Sequence, residues 1–289
     1  MSLFYKIAGL TIQTEDHFLE ADRKHLACYQ VEPTEAPDMV FTFHLNCTDI
    51  TLPEHTLVAD VNKRHWCITK DGGYAFYDQI PEISDRIYNA MVTDSAFRNV
   101  ELWLCPSEVL GLSEDQRPYN LIHEMLCYAL LLHQGMVFHG SSIAVNSQGL
   151  IFSAPSGTGK STHTGLWLKH VPGTAMVNDD KPIIRMEADK PFLYGAPWSG
   201  KNSIHKNVRV PLAAIIFIER ATTCALLPMD PMEAVWQILD AVRKPALPVL
   251  AEKNMDLVAK LVENLPIYLL RCDISEDAVR AAKQALRGL

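Results

Sequence analysis

The chain has 289 residues, of which 48% are hydrophobic and 21% are charged, a composition typical of a globular protein with one large or two smaller domains. A net charge of −8 argues against nucleic-acid binding through a generally basic surface. No apolar run reaches the ~18 residues that a membrane span needs, and we expect neither a signal peptide nor a membrane partner. The seven cysteines are scattered and include no C-x-x-C pair, which favours reduced thiols and a cytoplasmic location.

Residues 1–105 are predicted to form a smaller, β-rich N-terminal domain. The apolar and polar alternation predicts strands over 5–12, 39–45, 66–70, 73–77 and 100–104. Asp71 and Gly72 separate two of these strands and are typical of a tight hairpin turn. No phosphate loop, metal-ligand spacing or catalytic triad is recognisable in this part of the sequence. We expect this domain to support the other one or to recognise a partner.

Residues 106–289 are predicted to form an α+β catalytic domain around a mixed sheet. Apolar residues at helical spacing predict helices over 119–133, 160–170, 231–243, 251–264 and 276–287. Apolar runs predict strands over 135–145, 149–153, 175–178, 183–187, 192–194, 208–219 and 267–270.

The strand predicted over 135–145 has a polar interruption that begins at His139. A hairpin between this strand and the next would place His139 beside the loop that follows residue 153. The alternative is a histidine that only forms hydrogen bonds within its strand.

The segment from Ala154 to Ser161 has the spacing A-x-x-x-x-G-K-S, one residue different from the G-x-x-x-x-G-K-[ST] pattern of a phosphate-binding loop. Glycines in such a loop accept positive φ, so the backbone can curl and aim its N–H groups at phosphate oxygens. The helix N-terminus adds unpaired amides and the positive end of its dipole. We expect Lys160 to contact the β- and γ-phosphates and the Ser161 hydroxyl to bind Mg²⁺. The residues predicted to bind the nucleotide are Ser156, Gly157, Thr158, Gly159, Lys160, Ser161 and Thr162.

Two carboxylates follow the strand predicted over 175–178. Asp179 and Asp180 end an apolar strand, which is typical of carboxylates that hold Mg²⁺ directly or through water. Two adjacent carboxylates allow one to bind metal while the other takes the proton from an incoming hydroxyl. The Lys181-Pro182 pair breaks the strand, so both side chains can face one site. The alternative is a turn with solvated charges.

A loop rich in Gly, Pro and Ser is predicted over Gly195–Asn202, around a single tryptophan. Trp198 and Lys201 are candidates for a substrate loop, because the Lys201 cation would reach a phosphate or the substrate. An ordinary surface loop with a packing tryptophan is the alternative.

Three features together resemble one superfamily: the strand with His139-Gly140, the loop Ala154–Ser161, and the strand that ends in Asp179-Asp180. The combination is similar to the catalytic domain of HPr kinase/phosphorylase, which is related to phosphoenolpyruvate carboxykinase. It looks closer still to HPr-kinase-like proteins with a Gly-x-Pro-Trp loop, here Gly195–Trp198. The resemblance covers about residues 136–219.

The resemblance implies an ATP- and Mg²⁺-dependent kinase that transfers the γ-phosphoryl group to a hydroxyl of a peptide, a protein or a small molecule. It implies Asp179 as the proton-abstracting carboxylate, Asp180 as its metal-side partner, and His139 near the transferred group. The catalytic candidates are therefore Asp179, His139 and Lys160, and the metal candidates are Ser161, Asp180 and Asp179. The alternatives are a carboxykinase-like, nucleotide-dependent lyase and a non-catalytic ATP-binding sensor. The acceptor, the donor's base and a homo-oligomeric state stay open.

Overall fold

A computed structural model describes residues 2–61, 63–80, 84–155 and 157–286. Over these residues the chain is an α+β protein with two mixed sheets, which confirms the predicted fold class at that level. The chain divides into two compact units, Met1–Leu132 with Pro245–Glu252, and His133–Lys244 with Lys253–Leu289. The domain boundary predicted between residues 105 and 106 stays a prediction, and the structural division lies at residue 132.

The first unit is built on a sheet to which the described residues contribute eight strands. These are β1 Ser2–Ile7, β2 Leu10–Glu15, β3 Met39–His44, β4 His55–Val61, β5 Arg64–Thr69, β6 Tyr74–Ile80, β7 Ser84–Thr93 and β8 Asn99–Leu104. Their spatial order is β1-β2-β3-β8-β7-β6-β5-β4, and β3 runs parallel to both of its neighbours. The helices of this unit are α1 Glu20–Leu26 and α2 Arg117–Leu132.

The turn residues explain where the structure of the first unit agrees with the prediction from the sequence and where it differs. The predicted hairpin at Asp71-Gly72 is confirmed, since β5 pairs with β6 and Gly72 has a φ of 85°. The single strand predicted over 5–12 is wrong, because Ala8 and Gly9 both take positive φ and turn the chain between β1 and β2. Helix α1 and strands β4 and β7 had no clear signal in the sequence.

The second unit has a mixed sheet on which the candidate site is built. Its strands are β9 Gly135–Val137, β10 Ser141–Val145, β11 Gln148–Ser153, β12 Thr174–Asn178, β13 Ile183–Glu187, β14 Lys190–Tyr194, β15 Arg209–Arg220, β16 Ala225–Pro228 and β17 Ile267–Cys272. The remaining helices are α3 Lys160–His170, α4 Pro231–Ala241, α5 Pro248–Asn264 and α6 Glu276–Ala282. The strand order is β12-β10-β11-β15-β14-β13-β9, with β17 beside both β15 and β16.

Three parallel strands place their following loops at one edge of this sheet. β15 runs parallel to both β11 and β17, so the carboxyl ends of all three lie on the same side. Helices α3 and α6 pack against these strands over an apolar core that includes Phe152, Trp167, Ile216 and Leu270. In α/β sheets this edge is the usual place for a ligand.

The strand predicted over 135–145 is two strands, β9 and β10, which pair with different neighbours. His139 and Gly140 lie between them. A Cβ on Gly140 would come within 2.9 Å of both Ile151 Cγ2 and the Phe152 carbonyl oxygen, so only glycine fits this close approach. The predicted last helix is shorter than expected, ending at Ala282 before a 3₁₀ turn, and residue 287 lies outside the described residues.

No helix in the described part of the chain combines the length and apolar character required to span a membrane.

Candidate functional site

The glycine loop, residues 154–159, connects β11 to α3 as the sequence predicts. Gly157 and Gly159 have φ of 77° and 122°, and a Cβ at either position would meet no atom within 4 Å. Backbone conformation rather than lack of space therefore requires glycine at both positions. Ala154, which replaces the first glycine of the pattern, is buried and is not among the residues with positive φ. Ser156, a predicted nucleotide ligand, lies outside the described residues.

Helix α3 begins directly after the loop with several amides available. Gly159 occupies the N-cap and provides no side-chain cap, so the first-turn N–H groups have no partner within the helix. The Lys160 Nζ donates to the Ala154 carbonyl oxygen at 2.7 Å, which folds the side chain back over the loop. Ser161 and Thr162 are exposed on the first turn. Lys160, Ser161 and Thr162 thus lie together at the open start of α3.

Arg220 holds the glycine loop through two of the loop's carbonyl oxygens. It is the last residue of β15, and its guanidinium donates to the carbonyl oxygens of Thr158, at 3.1 Å, and of Gly157. In a trans peptide the N–H and C=O groups point in opposite directions, so the Gly159 N–H is directed away from the guanidinium. Arg220 was not among the site residues predicted from the sequence, so it is a functional residue that sequence reasoning missed.

His139 lies beside the glycine loop, between a lysine and a carboxylate. Its backbone is held on two sides, by its N–H to the Ala241 carbonyl oxygen at 2.7 Å and by the Ser153 hydroxyl, which donates to its carbonyl oxygen at 2.9 Å. The ring Nε2 is 3.3 Å from Lys160 Nζ, and Nδ1 is 3.3 Å from Asp180 Oδ1. Because a charged ammonium can only donate, Nε2 accepts from Lys160 and Nδ1–H faces Asp180.

The same contacts shift the pKa values of Asp180 and Lys160. The hydrogen bond from His139 holds the pKa of Asp180 below its usual value, against the opposing effect of burial, with Lys181 and Lys160 adding to the shift. Burial lowers the pKa of Lys160, and the nearby Asp180 charge opposes that effect. The Asp180 carboxylate is therefore ionised at neutral pH.

The two neighbouring aspartates lie in different environments. Asp179 is only 6% exposed, and its carboxylate accepts the backbone N–H groups of Gly200 at 2.6 Å and Asn202 at 3.3 Å. The Asp180 side chain is 26% exposed and meets His139. Asp179 thus anchors the loop over 195–202 to the end of β12, while Asp180 presents its carboxylate to the cleft.

Asn178 makes this divergence possible. Its side chain is fully buried, and its Oδ1 accepts from the backbone N–H groups of Asp180 at 2.8 Å and Lys181 at 2.6 Å. Its Nδ2 donates to the carbonyl oxygens of Ala196 and Trp198, both at 2.9 Å. Such a side-chain-to-backbone turn ends the strand at this residue. The Asn-Asp-Asp run was a usable signal for this turn, although the Lys181-Pro182 pair was the break that the sequence suggested.

The loop over 195–202 is held tightly at its start. A Cβ on Gly195 would lie 1.7 Å from the Lys206 carbonyl oxygen, so no other residue fits. Trp198 is 3% exposed, which makes it a packing residue in this structure and leaves it no open face for a substrate. Lys201 is exposed and lines the cleft. Of the two substrate-loop candidates, the structure places only Lys201 at the site.

A polar cleft of about 460 Å³ collects most of the predicted groups, while Thr158 lines the neighbouring cavities instead. It is lined by His139, Gly157, Gly159, Lys160, Ser161, Thr162, Asp179, Asp180 and Lys201, together with Gly200 and Asn202. Among the described residues, no group of three or more His, Cys, Asp or Glu side chains is placed to hold a metal ion. A hard cation bound here would therefore take part of its oxygen shell from a ligand or from water, as Mg²⁺ commonly does.

No protein-family model matches the chain, and no curated protein matches it either. Among solved structures, the HPr(Ser) kinase/phosphatase from Coxiella burnetii is similar over 53% of this chain and 99% of that chain. The sequence identity is 14% and the TM-score is 0.31, values at which the likeness carries no argument about the site or the activity.

Proposed function

We propose that the second unit binds a nucleoside triphosphate with Mg²⁺ and transfers the γ-phosphoryl group to the hydroxyl of a peptide, a protein or a small molecule. The observation that carries this proposal is the convergence in one cleft of the glycine loop, the open N-terminus of α3, Lys160 and Asp180. A loop of this kind favours phosphate, and a carboxylate beside it favours proton removal from an acceptor.

The residues in the cleft suit both the nucleoside triphosphate and Mg²⁺. Backbone N–H groups of the loop and of the first turn of α3 would bind the β- and γ-phosphates, and Lys160 would leave the Ala154 carbonyl oxygen to join them. The exposed Ser161 hydroxyl and the phosphate oxygens would hold Mg²⁺. The metal, when bound, neutralises charge on the triphosphate.

Geometry favours Asp180 over Asp179 as the proton acceptor. Both oxygens of Asp179 already accept backbone N–H groups, and its side chain is buried. Asp180 is ionised and half-buried at the cleft, with His139 orienting its Oδ1. In the proposed reaction the acceptor oxygen attacks the γ-phosphorus, its proton goes to Asp180, and the nucleoside diphosphate leaves. Asp179 is then a positioning residue that shapes the loop which carries Lys201.

The experiment incubates the protein with γ-labelled ATP or GTP, Mg²⁺ and an extract of its own cells, and then identifies the labelled product. We expect label on one molecule or protein, and its size distinguishes a protein from a peptide or small acceptor. Nucleotide consumption that depends on oxaloacetate would instead indicate a lyase. Nucleotide binding without release of a diphosphate, in any acceptor pool, would contradict phosphotransfer and indicate a sensor.

An Asp180→Asn variant separates the two roles open to that carboxylate. As the proton acceptor, Asp180 is needed for transfer but not for binding, so the variant should keep its Mg²⁺-dependent nucleotide affinity and lose the label. Loss of the Mg²⁺ dependence of binding would instead make Asp180 a metal ligand.

A further inference from the structure

A second cavity, of about 330 Å³, opens beside the glycine loop at the carboxyl ends of β15 and β17. Gly157, Gly159 and Thr162 line both this cavity and the polar cleft, so the two meet at the loop. A molecule whose phosphates occupy the loop can therefore extend from the cleft with Asp180, on the reacting side, into this second cavity. Another cavity, of about 490 Å³, also meets the loop at Gly157 and Thr158, but it carries two carboxylates, those of Glu219 and Glu233.

The walls of the second cavity are mainly apolar. The apolar part is formed by Leu166, Ile218, Ala221, Cys272 and Ile274, and the polar part includes Thr158, His163, Arg220 and Asp273. Ile274 is 77% exposed, the highest value among the large hydrophobic side chains described as exposed. It follows β17 in a short connection to α6, where nothing in the second unit's core requires an isoleucine. An apolar side chain at a cavity mouth is favourable when a flat, apolar ligand surface covers it.

Asp273 adds one oriented polar group to this cavity. Its Oδ1 accepts from the Ser275 N–H at 2.9 Å, the Ser275 hydroxyl at 2.6 Å and the Cys224 thiol at 3.3 Å. Ser275 is the N-cap residue of α6, but its hydroxyl binds Asp273 rather than the helix. These bonds hold the pKa of Asp273 below its usual value, so the carboxylate is ionised. Among the described residues, all three of these hydrogen bonds are accepted by Oδ1, so Oδ2 can accept a hydrogen bond from a ligand.

We infer that this cavity binds the base and ribose of the nucleoside triphosphate, with an amino-bearing purine packed against Ile274 and donating to Asp273 Oδ2. The inference rests on the proposed function, because it assumes that the phosphates lie in the glycine loop. It adds a specificity site that the loop itself lacks, since phosphate groups are common to every nucleotide. A cavity of this size at the carboxyl ends of parallel strands suits a base and its sugar.

The test compares a nucleoside triphosphate with inorganic tripolyphosphate, which has the phosphates but no base. Dissociation constants for ATP, GTP, CTP and tripolyphosphate are measured by calorimetry with Mg²⁺, on the wild type and on two variants, Ile274→Ser and Asp273→Asn. Met255→Ser, an exposed hydrophobic position on α5, is the matched control for loss of an exposed apolar side chain.

We expect the preferred purine nucleotide to bind at least about tenfold more tightly than tripolyphosphate. Ile274→Ser should weaken the nucleotide about fivefold and Asp273→Asn about tenfold, because one loses apolar contact and the other a charged acceptor. Neither variant should change the affinity for tripolyphosphate, and Met255→Ser should change the affinity for neither ligand.

Two results would overturn the inference, and they differ in what they say of the proposed function. If the wild type binds nucleotide and tripolyphosphate equally and the variants change neither affinity, the cavity binds no base. The proposed phosphate site in the glycine loop would then be unaffected. If the wild type binds neither ligand, the proposed function fails as well.

Discussion

Replacing Asp179 by asparagine tests whether this residue is structural or catalytic. The carboxylate accepts the Gly200 N–H at 2.6 Å and the Asn202 N–H at 3.3 Å from a buried position. An asparagine offers only one oxygen, so it can keep one of these bonds but turns an NH₂ group toward the other amide. Asp180→Asn is the matched control, because it makes the same chemical change on the adjacent residue at the edge of the cleft.

The expected cost follows from the bonds that are lost. A hydrogen bond to a charged group contributes about 1.5–3 kcal/mol, and a buried N–H left without an acceptor adds about 1–3 kcal/mol. We therefore expect Asp179→Asn to lower the free energy of unfolding by about 3 kcal/mol. For a unit of this size that corresponds to a fall of about 6–12 °C in Tm. Asp180→Asn should change Tm by less than about 3 °C, since its side chain is partly exposed and its ion-pair partners, His139 and Lys181, are partly exposed too.

Calorimetry or circular dichroism measures both Tm values, and labelled-nucleotide transfer measures activity at a temperature where both variants are folded. We expect Asp179→Asn to lose stability and part of its activity, and Asp180→Asn to lose activity while keeping its stability. The reasoning is refuted if Asp179→Asn keeps the wild-type Tm and loses all transfer, since Asp179 would then be the reacting carboxylate.

Three further results are expected. Arg220→Gln should weaken nucleotide binding about fivefold, because the glycine loop loses its two exposed carbonyl contacts; Arg271→Gln, which removes an exposed pair with Glu219, is the control in the same titration and should have no effect. Burial lowers the pKa of His163 from 6.5 to about 4, so the unfolded chain binds a proton first and stability falls as the pH drops below 6.5. Urea unfolding should show a loss of about 2 kcal/mol between about pH 7 and pH 4.5 that His163→Gln lacks, and equal losses in both proteins would contradict this. Asn178→Ala should lower the free energy of unfolding by about 3–4 kcal/mol in the same assay, because four backbone groups lose their partner, and a change below about 1 kcal/mol would contradict the assigned bonds.

Local signals in the sequence were sufficient to predict the elements at the centre of the site. An apolar strand, a loop with Gly157 and Gly159, and a helix from Lys160 were predicted within about a residue of the observed bounds. This part is predictable because glycine at positive φ and an uncapped helix start depend on neighbouring residues. The hairpin at Asp71-Gly72 was predictable for the same reason.

Long-range contacts explain what the sequence left undetermined. Asp179 and Asp180 are the same residue type in adjacent positions, and their environments differ because of distant residues. The amides of Gly200 and Asn202 bind Asp179, and His139 binds Asp180. Arg220 reaches Thr158 across a separation of 62 residues, through the parallel pairing of β11 with β15. No periodicity or motif encodes such a contact, because it depends on which strands become neighbours.

The central claim is that the glycine loop and Lys160 bind the phosphates of a nucleoside triphosphate. Calorimetric titration of ATP and GTP into the wild type and Lys160→Ala, with Mg²⁺ present, tests it most directly. We predict that the wild type binds at least one of them and that the variant loses at least about tenfold in affinity while keeping its Tm, since the lysine charge is removed from the phosphate site. Equal affinity in the two proteins, or no binding by the wild type, would contradict the claim.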